Sequence, residues 1–578
     1  MCHTADHAHE HDAFHHHPHD LSDPVDADTS AALDLSIDDG DLSPTQLSRR
    51  GLFRSAGILG GATALGMAGV TPAMAEGRDD DRHGSSGGSV RHWLAGDHHI
   101  HTQYSSDAMY RVIDQVQHGA AYGLDWMVIT DHGNATHSRI GVELVNPDIR
   151  AAREVLPHTL IFQGLEWNIP AAEHGTVFVA PGRHEVAVLK QFETDYDGSV
   201  TGTSDSSPAN EALALAGITW LGRQVDRRRV DDALFLANHP ARRGVDSPHE
   251  IRAWRDADPR IAIGFEGAPG HQAGGLPAGV GAGSARGGYG GGPSSNSFPG
   301  YPLESYRTWG GFDWMTATVG GLWDSLLAEG KPWSISANSD SHTNWGDTSR
   351  RPDGSSSEQF NRDGKYGDPV YSGGVNLTAA DYWPGLYSRT HVGASKRDYL
   401  AVMRGLRDGR VWVDHGRLVK SVDVTVRVRG DRGSAVPLGS TLRVRRGTRV
   451  ELVVRITAQD VPNWSQFVPR LNRVDLIRGA VEPGHAEERD TFVAPDTRVV
   501  QQWDTSGRTG SYEIVHDLGR AEDAFYVRLR GTDGNRSQPG FLGAAIDPEG
   551  PALDVVGNAD PWLDLWFYTN PIWVLPTR

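Results

Sequence analysis

Histidines and acidic residues recur in short groups from Asp97 onwards, each beside a run of apolar residues. The first group is Asp97–Thr102 (DHHIHT), with Asp107 shortly after it. Residues i and i+2 of a β-strand point to the same face, so His99 and His101 can present imidazoles to neighbouring metal positions. His98 faces the other way and is expected only to pack. Because imidazole nitrogen is a preferred ligand of divalent cations such as Zn²⁺, this group predicts part of a metal site.

Two more groups follow the same pattern. Val128–His132 ends in an acid–histidine pair, where His132 is the expected ligand and Asp131 the carboxylate that orients its ring. Gly164–Glu166 ends the next apolar run, and His174 opens another. A carboxylate can bridge two cations whereas a neutral imidazole cannot, so Glu166 is the expected bridging ligand.

The last two groups are Asn238–Pro240 (NHP) and Ser339–His342 (SDSH). His239 is the candidate ligand of the first, and Asp340 and His342 repeat the i, i+2 spacing of His99 and His101. Any one of these groups could instead be a set of polar residues at the rim of a barrel, with all their hydrogen bonds made within the protein. Five such groups along one chain indicate that their side chains meet at a single site. The nitrogen and oxygen ligands of that site suit Zn²⁺, Mn²⁺ or Fe²⁺.

The apolar runs predict the elements that position these groups. Runs that are apolar throughout and separated by helical segments, such as 109–122 and 321–329, are typical of parallel strands in an α/β barrel. The functional residues of such barrels lie at the carboxyl ends of the strands, and the polar groups of this chain occur there. The predicted strands are Trp126–Thr130, Thr159–Gln163, Gly175–Val179, Ala233–Ala237, Ile261–Phe265 and Trp333–Ala337.

In order, the motifs HxHT, TDH, GxE, a histidine, NHP and SDSH resemble those of the polymerase and histidinol phosphatase (PHP) superfamily of metal-dependent phosphoesterases. The resemblance spans about residues 93–345 and implies a distorted (β/α)7 barrel with two or three divalent cations. Carried over to this chain, it implies one cation held by His99, His101, Glu166 and Asp340. Glu166 would also bridge to a second cation, held by His174 and His239, and Asp107, His132 and His342 would hold a third.

The chain departs from the family pattern at its first motif. The spacing from this motif to Asp107 is one residue longer than usual, and the motif ends in Ala rather than Gly. Separately, Leu406–Val413 and Trp566–Trp573 resemble the tail of the branch that includes carbaryl hydrolase-like metallohydrolases. Because of this second resemblance, the bond that the protein cleaves could belong to a phosphate ester or to a carboxylester or carbamate.

A metal-bridged water ionises near neutral pH, so a bridging hydroxide is the expected nucleophile on a small phosphorylated substrate. Glu166, His239 and Asp340 are the expected catalytic positions, and Arg242 and Arg243 are candidate clamps for an anionic substrate. The main prediction is therefore a phosphomonoesterase or phosphodiesterase. The alternatives are a carboxylester or carbamate hydrolase using the same metals, and a cell-wall or glycan-binding protein with a relict barrel.

From about residue 421 the pattern changes to alternating runs such as Val422–Val428, Val450–Ile456 and Phe525–Arg530. Period-two alternation predicts antiparallel strands, so residues 421–578 are expected to form a β-sandwich after a barrel over residues 90–420. Residues 270–300 are dominated by Gly, Ser and Pro, and are expected to form a loop without a core of its own, either a lid or a solvated insertion.

The N-terminus reads as an export leader. Eight histidines lie between His3 and His19, upstream of a twin arginine at Arg49-Arg50, an apolar stretch of about 15 residues and Ala73-Met74-Ala75. The apolar stretch is too short for a transmembrane helix, which requires roughly 20 residues, so no membrane span is expected in the mature chain. We therefore predict a His-rich leader and twin-arginine signal peptide over residues 1–75, a linker over 76–89, and secretion through the twin-arginine machinery.

The composition of the chain argues against some other classes of protein and of metal site. The formal net charge of −19 argues against stable binding of nucleic acid, because such proteins concentrate Lys and Arg on one face. Cys2 is the only cysteine and lies in the predicted leader, so disulfides and thiolate metal sites are not expected in the mature chain.

Overall fold

The computed structural model describes residues 90–482, 484–538 and 546–577. The leader, signal peptide and linker predicted over residues 1–89 lie outside this part of the chain. Seven strands follow one another around a barrel in chain order, and a bridge from Ile100 to Ser341, just after the last strand, closes the ring. The barrel strands are β1 (His92–Ile100), β2 (Trp126–Ile129), β3 (Leu160–Asn168), β4 (His174–Val179), β5 (Ala233–Ala237), β6 (Ala262–Ala268) and β7 (Ser334–Ala337).

The six predicted strands are all present, and the distorted (β/α)7 barrel is confirmed. One expectation is wrong: β4 runs antiparallel to both β3 and β5, while the other neighbouring pairs around the barrel are parallel. The reason is the length of the connection, because only residues 169–173 separate β3 from β4. Parallel neighbours require a crossover of a dozen or more residues.

Helices cover the outside of the barrel, and several begin at side-chain caps. Ser207 and Ser247 accept backbone N–H groups at the starts of two of these helices, each followed by proline at the first helical position. The helices are α1 (Val112–Ala121), α2 (Val142–Val155), α3 (Glu185–Tyr196), α4 (Gly198–Thr201), α5 (Pro208–Asp226), α6 (Pro248–Ala257), α7 (Trp314–Ala317), α8 (Leu322–Ala328), α9 (Ser357–Asp363) and α10 (Tyr399–Arg407).

The C-terminal region is the predicted sandwich of two sheets, which enclose a core of alternating apolar residues such as Val424, Leu452, Leu476 and Val527. The strands of the first layer are β12 (Val419–Val428), β13 (Val436–Pro437), β15 (Arg449–Ala458) and β18 (Ser511–Arg520). Their order in the layer is β13-β12-β15-β18, and all the pairs are antiparallel. Those of the second layer are β14 (Thr441–Arg445), β16 (Arg473–Ala480), β17 (Arg498–Asp504), β19 (Phe525–Thr532), β20 (Trp566–Thr569) and β21 (Ile572–Thr577).

The second layer is hydrogen-bonded to the barrel. Strand β1 pairs with β10 (Ser388–Ala394), β10 with β11 (Val411–His415), and β11 with β20. A short hairpin of β8 (Ser349–Arg350) and β9 (Val370–Tyr371) lies apart from this sheet. This ladder of strands joins residues on both sides of the predicted domain boundary between residues 420 and 421. The boundary itself falls inside β12, and it stays a prediction.

The Gly-rich segment over residues 270–300 packs onto both regions. Ala273 and Leu276 belong to the core of the sandwich, and Tyr289 to that of the barrel. The buried guanidinium of Arg286 donates to Gln272, Tyr387 and Asp564. The segment therefore shares the cores of its neighbours instead of forming one. Among the described residues, no helix combines the length and the apolarity that a bilayer crossing requires.

Candidate metal centre

The nine predicted metal ligands lie together at one end of the barrel, although they are spread over more than 240 positions of the sequence. A cavity of about 350 Å³ opens there. His99 and His101 are fully buried beside it, in contact with Glu166 and Asp340. The described residues that line the cavity are Asp107, His132, Glu166, His174, His239, Arg242, His271, Asp340 and His342.

Glu166 lies at the centre of the group, where five imidazoles surround one carboxylate. Its Oε1 is 3.1 Å from His99 Nε2, 3.1 Å from His174 Nδ1 and 3.3 Å from His239 Nε2. Its Oε2 is 3.4 Å from His101 Nε2 and 3.7 Å from His132 Nε2. The two oxygens therefore face different sets of nitrogens, which is the arrangement a bridging carboxylate requires.

Asp340 is the second shared carboxylate. Its Oδ1 lies 3.0 Å from His99 Nε2 and 3.1 Å from His101 Nε2, and its Oδ2 lies 2.8 Å from His271 Nε2. The ring of His342 stacks on that of His101 with 3.8 Å between centroids. Asp340 thus joins the inner pair of histidines to the outer wall of the cavity.

The hydrogen bonds of His99 and His101 show which ring nitrogen of each neutral imidazole faces the cluster. Glu266 lies 2.7 Å from His99 Nδ1, so a neutral His99 carries its proton on Nδ1 and its lone pair on Nε2. The only hydroxyl proton of Ser105 goes to Asp107 at 2.6 Å, so His101 Nδ1 must donate to Ser105 Oγ at 3.1 Å. His101 Nε2 therefore also carries a lone pair.

Those two Nε2 atoms are 3.0 Å apart. With both rings neutral, these two atoms form no hydrogen bond to each other, whereas a cation between them would bind both. Nearby, the buried His239 Nδ1 has no hydrogen-bond partner in the described residues. The donor set therefore fits divalent metal ions with nitrogen and oxygen ligands.

Five sets of three side chains offer ligand atoms that lie within 4.8 Å of one another. The first corresponds to the expected inner site, but His132 groups with Glu166 and His174 and not with Asp107 and His342. The sets are His99/His101/Asp340, His101/Asp107/His342, His132/Glu166/His174, Glu173/His174/His239 and His271/Asp340/His342.

Three of these residues adopt a backbone conformation that favours glycine. The φ angles are +30° for His239, +53° for His271 and +47° for Asp340. A left-handed non-glycine residue costs about 1–3 kcal/mol and persists where the surrounding structure determines it. The strain concentrates at the ends of β5, β6 and β7, where the chain must turn these side chains into the cavity.

Burial and the neighbouring side chains shift the pKa values of the carboxylates in the cluster in opposite directions. Burial raises the pKa of Glu166, but His99, His174 and His132 outweigh it and hold that pKa well below its usual range. Asp340 follows the same pattern, and His99 and His271 are the strongest of the neighbours that lower its pKa. Burial and His342 lower the pKa of His101 to about 4, so this imidazole is neutral and able to bind a cation.

The two predicted anion clamps differ in position. Arg242 lines the cavity, whereas the side chain of Arg243 is 63% exposed. Both lie near the buried Glu173, with N–O distances of 3.5 Å and 3.4 Å. Burial raises the pKa of Glu173, but Arg242 and His174 outweigh it and lower that pKa to about 2, so the carboxylate holds the arginine against the cavity wall.

Three side chains of the site were not predicted from the sequence. Glu266 follows a predicted strand, so the rule that located Glu166 also applied to it. His271 comes five residues later, inside the Gly-rich segment, and Asp381 belongs to no motif. Asp381 Oδ1 lies 2.5 Å from His271 Nδ1, and its Oδ2 accepts the backbone N–H of His342 at 2.7 Å.

The role expected for Asp131 is wrong. Its carboxylate accepts the backbone N–H and hydroxyl of Thr102 at 2.6 Å and 2.9 Å, and so holds the end of β1. His132 Nδ1 instead lies 3.2 Å from the carbonyl of Gly133, which sets its tautomer. The adjacent position in the sequence suggested a pair, but the strand directs Asp131 away from the ring. His98 packs inside the barrel between Thr176 and Ser336, as expected.

Comparison with known proteins agrees with this geometry. The PHP domain family matches residues 97–227, which include the predicted ligands from His99 to His174. A search of curated proteins found no match. Among solved structures, the chain is similar to a two-domain protein from Bacteroides vulgatus containing a predicted PHP-like metal-dependent phosphoesterase, with 12% identity and a TM-score of 0.29, covering 79% of this chain and 95% of that one. Residues 97–227 therefore match the family that the motifs of this chain resemble.

Proposed function

We propose that this protein is an exported metal-dependent hydrolase that cleaves phosphate monoesters or diesters. The observation that carries the proposal is the carboxylate of Glu166, whose two oxygens are within 3.1–3.7 Å of five imidazoles. Bound divalent cations lower the pKa of coordinated water from roughly 16 to about 7 and so supply hydroxide near neutral pH. The protein's own residues hold the ligand atoms and orient the substrate.

The cavity lining supports hydrolysis by water. The described lining residues are histidines, carboxylates and one arginine, and they include no serine, threonine, cysteine or lysine that could serve as a covalent nucleophile. Glu266 and Ser105 fix the rings of His99 and His101 from behind. This support would keep the Nε2 atoms of both rings directed towards a bound cation.

Arg242 supports an anionic substrate. A guanidinium at the wall of a cavity rich in carboxylates provides a fixed positive charge for a phosphate oxygen. Substitution Arg242→Gln is expected to raise KM for p-nitrophenyl phosphate by about tenfold or more, since a hydrogen bond to a charged group contributes about 1.5–3 kcal/mol. Arg243→Gln is the matched control and is expected to change KM less, because its side chain is mostly exposed.

The test of the activity is a substrate panel on the full chain loaded with Mn²⁺ or Zn²⁺. The panel comprises p-nitrophenyl phosphate, bis-p-nitrophenyl phosphate and 1-naphthyl N-methylcarbamate. Turnover of either phosphate is expected. Turnover of the carbamate alone would replace the phosphoesterase with the carbamate hydrolase, the alternative suggested by Leu406–Val413 and Trp566–Trp573.

Export rests on the sequence pattern around Arg49 and Arg50 and is tested separately. Cells with an active twin-arginine translocase are expected to release a chain shortened near Ala75. Arg49→Lys/Arg50→Lys should leave the protein inside the cell at full length, as judged by immunoblotting and N-terminal sequencing. Release of the double variant at the same rate would contradict the proposed route.

A further inference from the structure

We propose that His271 is an additional ligand of the metal centre, contributed by the Gly-rich segment and positioned by Asp381. It would bind, through Nε2, a divalent cation shared with Asp340 and His342. The inference rests on the proposed metal-dependent function, but it concerns metal binding alone and requires no particular substrate.

The position of the ring is the first argument. His271 lines the cavity, and its Nε2 lies 2.8 Å from Asp340 Oδ2. This is the oxygen of Asp340 that His99 and His101 do not approach closely, because both lie beside Oδ1. The ring of His342 is 5.5 Å from that of His271, and the three side chains offer ligand atoms within 4.8 Å of one another.

The second argument is the support behind the ring. Asp381 Oδ1 is 2.5 Å from His271 Nδ1, so a neutral His271 carries its proton there and its lone pair on Nε2. The other oxygen of Asp381 accepts the backbone N–H groups of His342 and Thr343 at 2.7 Å and 3.0 Å. A carboxylate that fixes the far nitrogen of an imidazole is the usual companion of a metal-binding histidine.

The backbone is the third argument. His271 has a φ of +53°, and its carbonyl accepts N–H groups from Gly274 at 3.2 Å and Gly287 at 3.1 Å. Gly274 N also donates to the carbonyl of Ala380, the residue before Asp381, at 3.0 Å. The start of the Gly-rich segment is thus tied to the segment that carries Asp381, and a shared cation would fasten the two together.

The competing explanation is an ion pair, in which a protonated His271 neutralises Asp340 and binds no metal. Two substitutions separate these explanations. Asparagine tolerates a positive φ but does not reach the cluster, and lysine replaces the positive charge without an imidazole lone pair. His249→Asn, at a partly exposed histidine paired with Asp490 away from the cavity, is the matched control.

The experiment measures tightly bound metal in the full chain by elemental analysis after dialysis, together with the visible spectrum of the Co²⁺-loaded protein. Both His271→Asn and His271→Lys are expected to lose one of the bound ions, and Asp381→Asn to bind it about 10- to 100-fold more weakly. Circular dichroism and thermal unfolding of each variant check that it is folded. His249→Asn should match the wild type.

An unchanged metal content and Co²⁺ spectrum in folded His271→Asn would overturn the inference, as would full metal content in His271→Lys, because that result indicates an ion pair. A wild-type protein that binds metal but cleaves neither phosphate substrate would refute the phosphoesterase while leaving this inference standing. A wild-type protein that binds no metal would refute both.

Discussion

Two regions of this molecule bury several charges, and they balance them differently. On strand β19, the guanidinium of Arg528 donates to both oxygens of Asp324 at 2.8 Å and 2.7 Å. Arg530 on the same strand donates to Asp475 at 2.8 Å and to Asp547. Each buried carboxylate there therefore contacts a guanidinium, which carries a permanent positive charge.

At the mouth of the barrel the partners of the carboxylates are imidazoles, and the Nε2 atoms of His99 and His101 lie 3.0 Å apart. Arg242 is the only arginine among the described residues that line the cavity. The positive charge that Glu166 and Asp340 require must therefore come from protonated histidines or from bound cations. The comparison shows that the kind of partner distinguishes a structural ion pair from a ligand site, whereas the number of buried charges does not.

The largest expected effect comes from removing the shared carboxylate. Glu166→Gln should lower kcat/KM on the order of a thousandfold and reduce the metal content, since the loss of several kcal/mol of transition-state stabilisation has this magnitude. Steady-state kinetics and elemental analysis measure the two effects. A variant with wild-type activity would show that Glu166 is a structural residue, like the acids of the other region.

The converse substitution is Arg528→Met. It leaves Asp324 buried without its cation, which should lower the free energy of unfolding by about 3 kcal/mol or more. Metal content per folded molecule should not change, and Asp324→Leu/Arg528→Met should recover much of the stability. Urea unfolding and elemental analysis give both values, and loss of metal in the single variant would contradict the distinction between the two regions.

Removal of metal should destabilise the barrel. A chelator is expected to lower the thermal midpoint, and added Mn²⁺ or Zn²⁺ to restore it, because a ligand at a hundredfold excess over its Kd stabilises the folded state by about 2.7 kcal/mol. In Glu166→Gln the same addition should shift the midpoint less. Equal shifts in both proteins would indicate that the metal binds elsewhere.

A smaller effect concerns His415, a buried histidine of β11 with neither ring nitrogen hydrogen-bonded in the described residues. Burial holds its pKa well below the ordinary value. Below about pH 6.5 the unfolded state takes up a proton that the folded state does not, so stability falls by up to about 1.4 kcal/mol per pH unit. His415→Phe should remove this part of the slope.

Urea unfolding of the wild type and His415→Phe at several pH values between about 7 and about 5 gives the two slopes. The ring of His415 already packs against Phe312 and Tyr387, with centroids 4.7 Å and 4.9 Å away, so an aromatic replacement preserves these contacts. Identical slopes would show that His415 does not contribute to the acid sensitivity. His415 also differs from the cavity histidines, because no acidic side chain among the described residues contacts its ring nitrogens.

Much of the barrel was predictable because most of its strands contain an apolar run that leads into a polar residue. That pattern located the strands that carry Glu166, His239 and Asp340. It did not show that β4 is antiparallel, since strand direction depends on the length of residues 169–173 and not on the residues within the strand. It also paired Asp131 with His132 by adjacency, although the two side chains leave the strand end in different directions.

Residue types and their order by themselves determined the candidate ligands, the alternation of the C-terminal strands and the resemblance to the PHP superfamily. Only the tertiary structure showed that Glu266, His271 and Asp381 belong to the site. Ligand motifs are local, so they can be read along the chain, whereas support for a ligand comes from whichever segment packs behind it. For His271 that segment begins 110 residues later in the chain, at a distance that only the packed fold brings within hydrogen-bonding range.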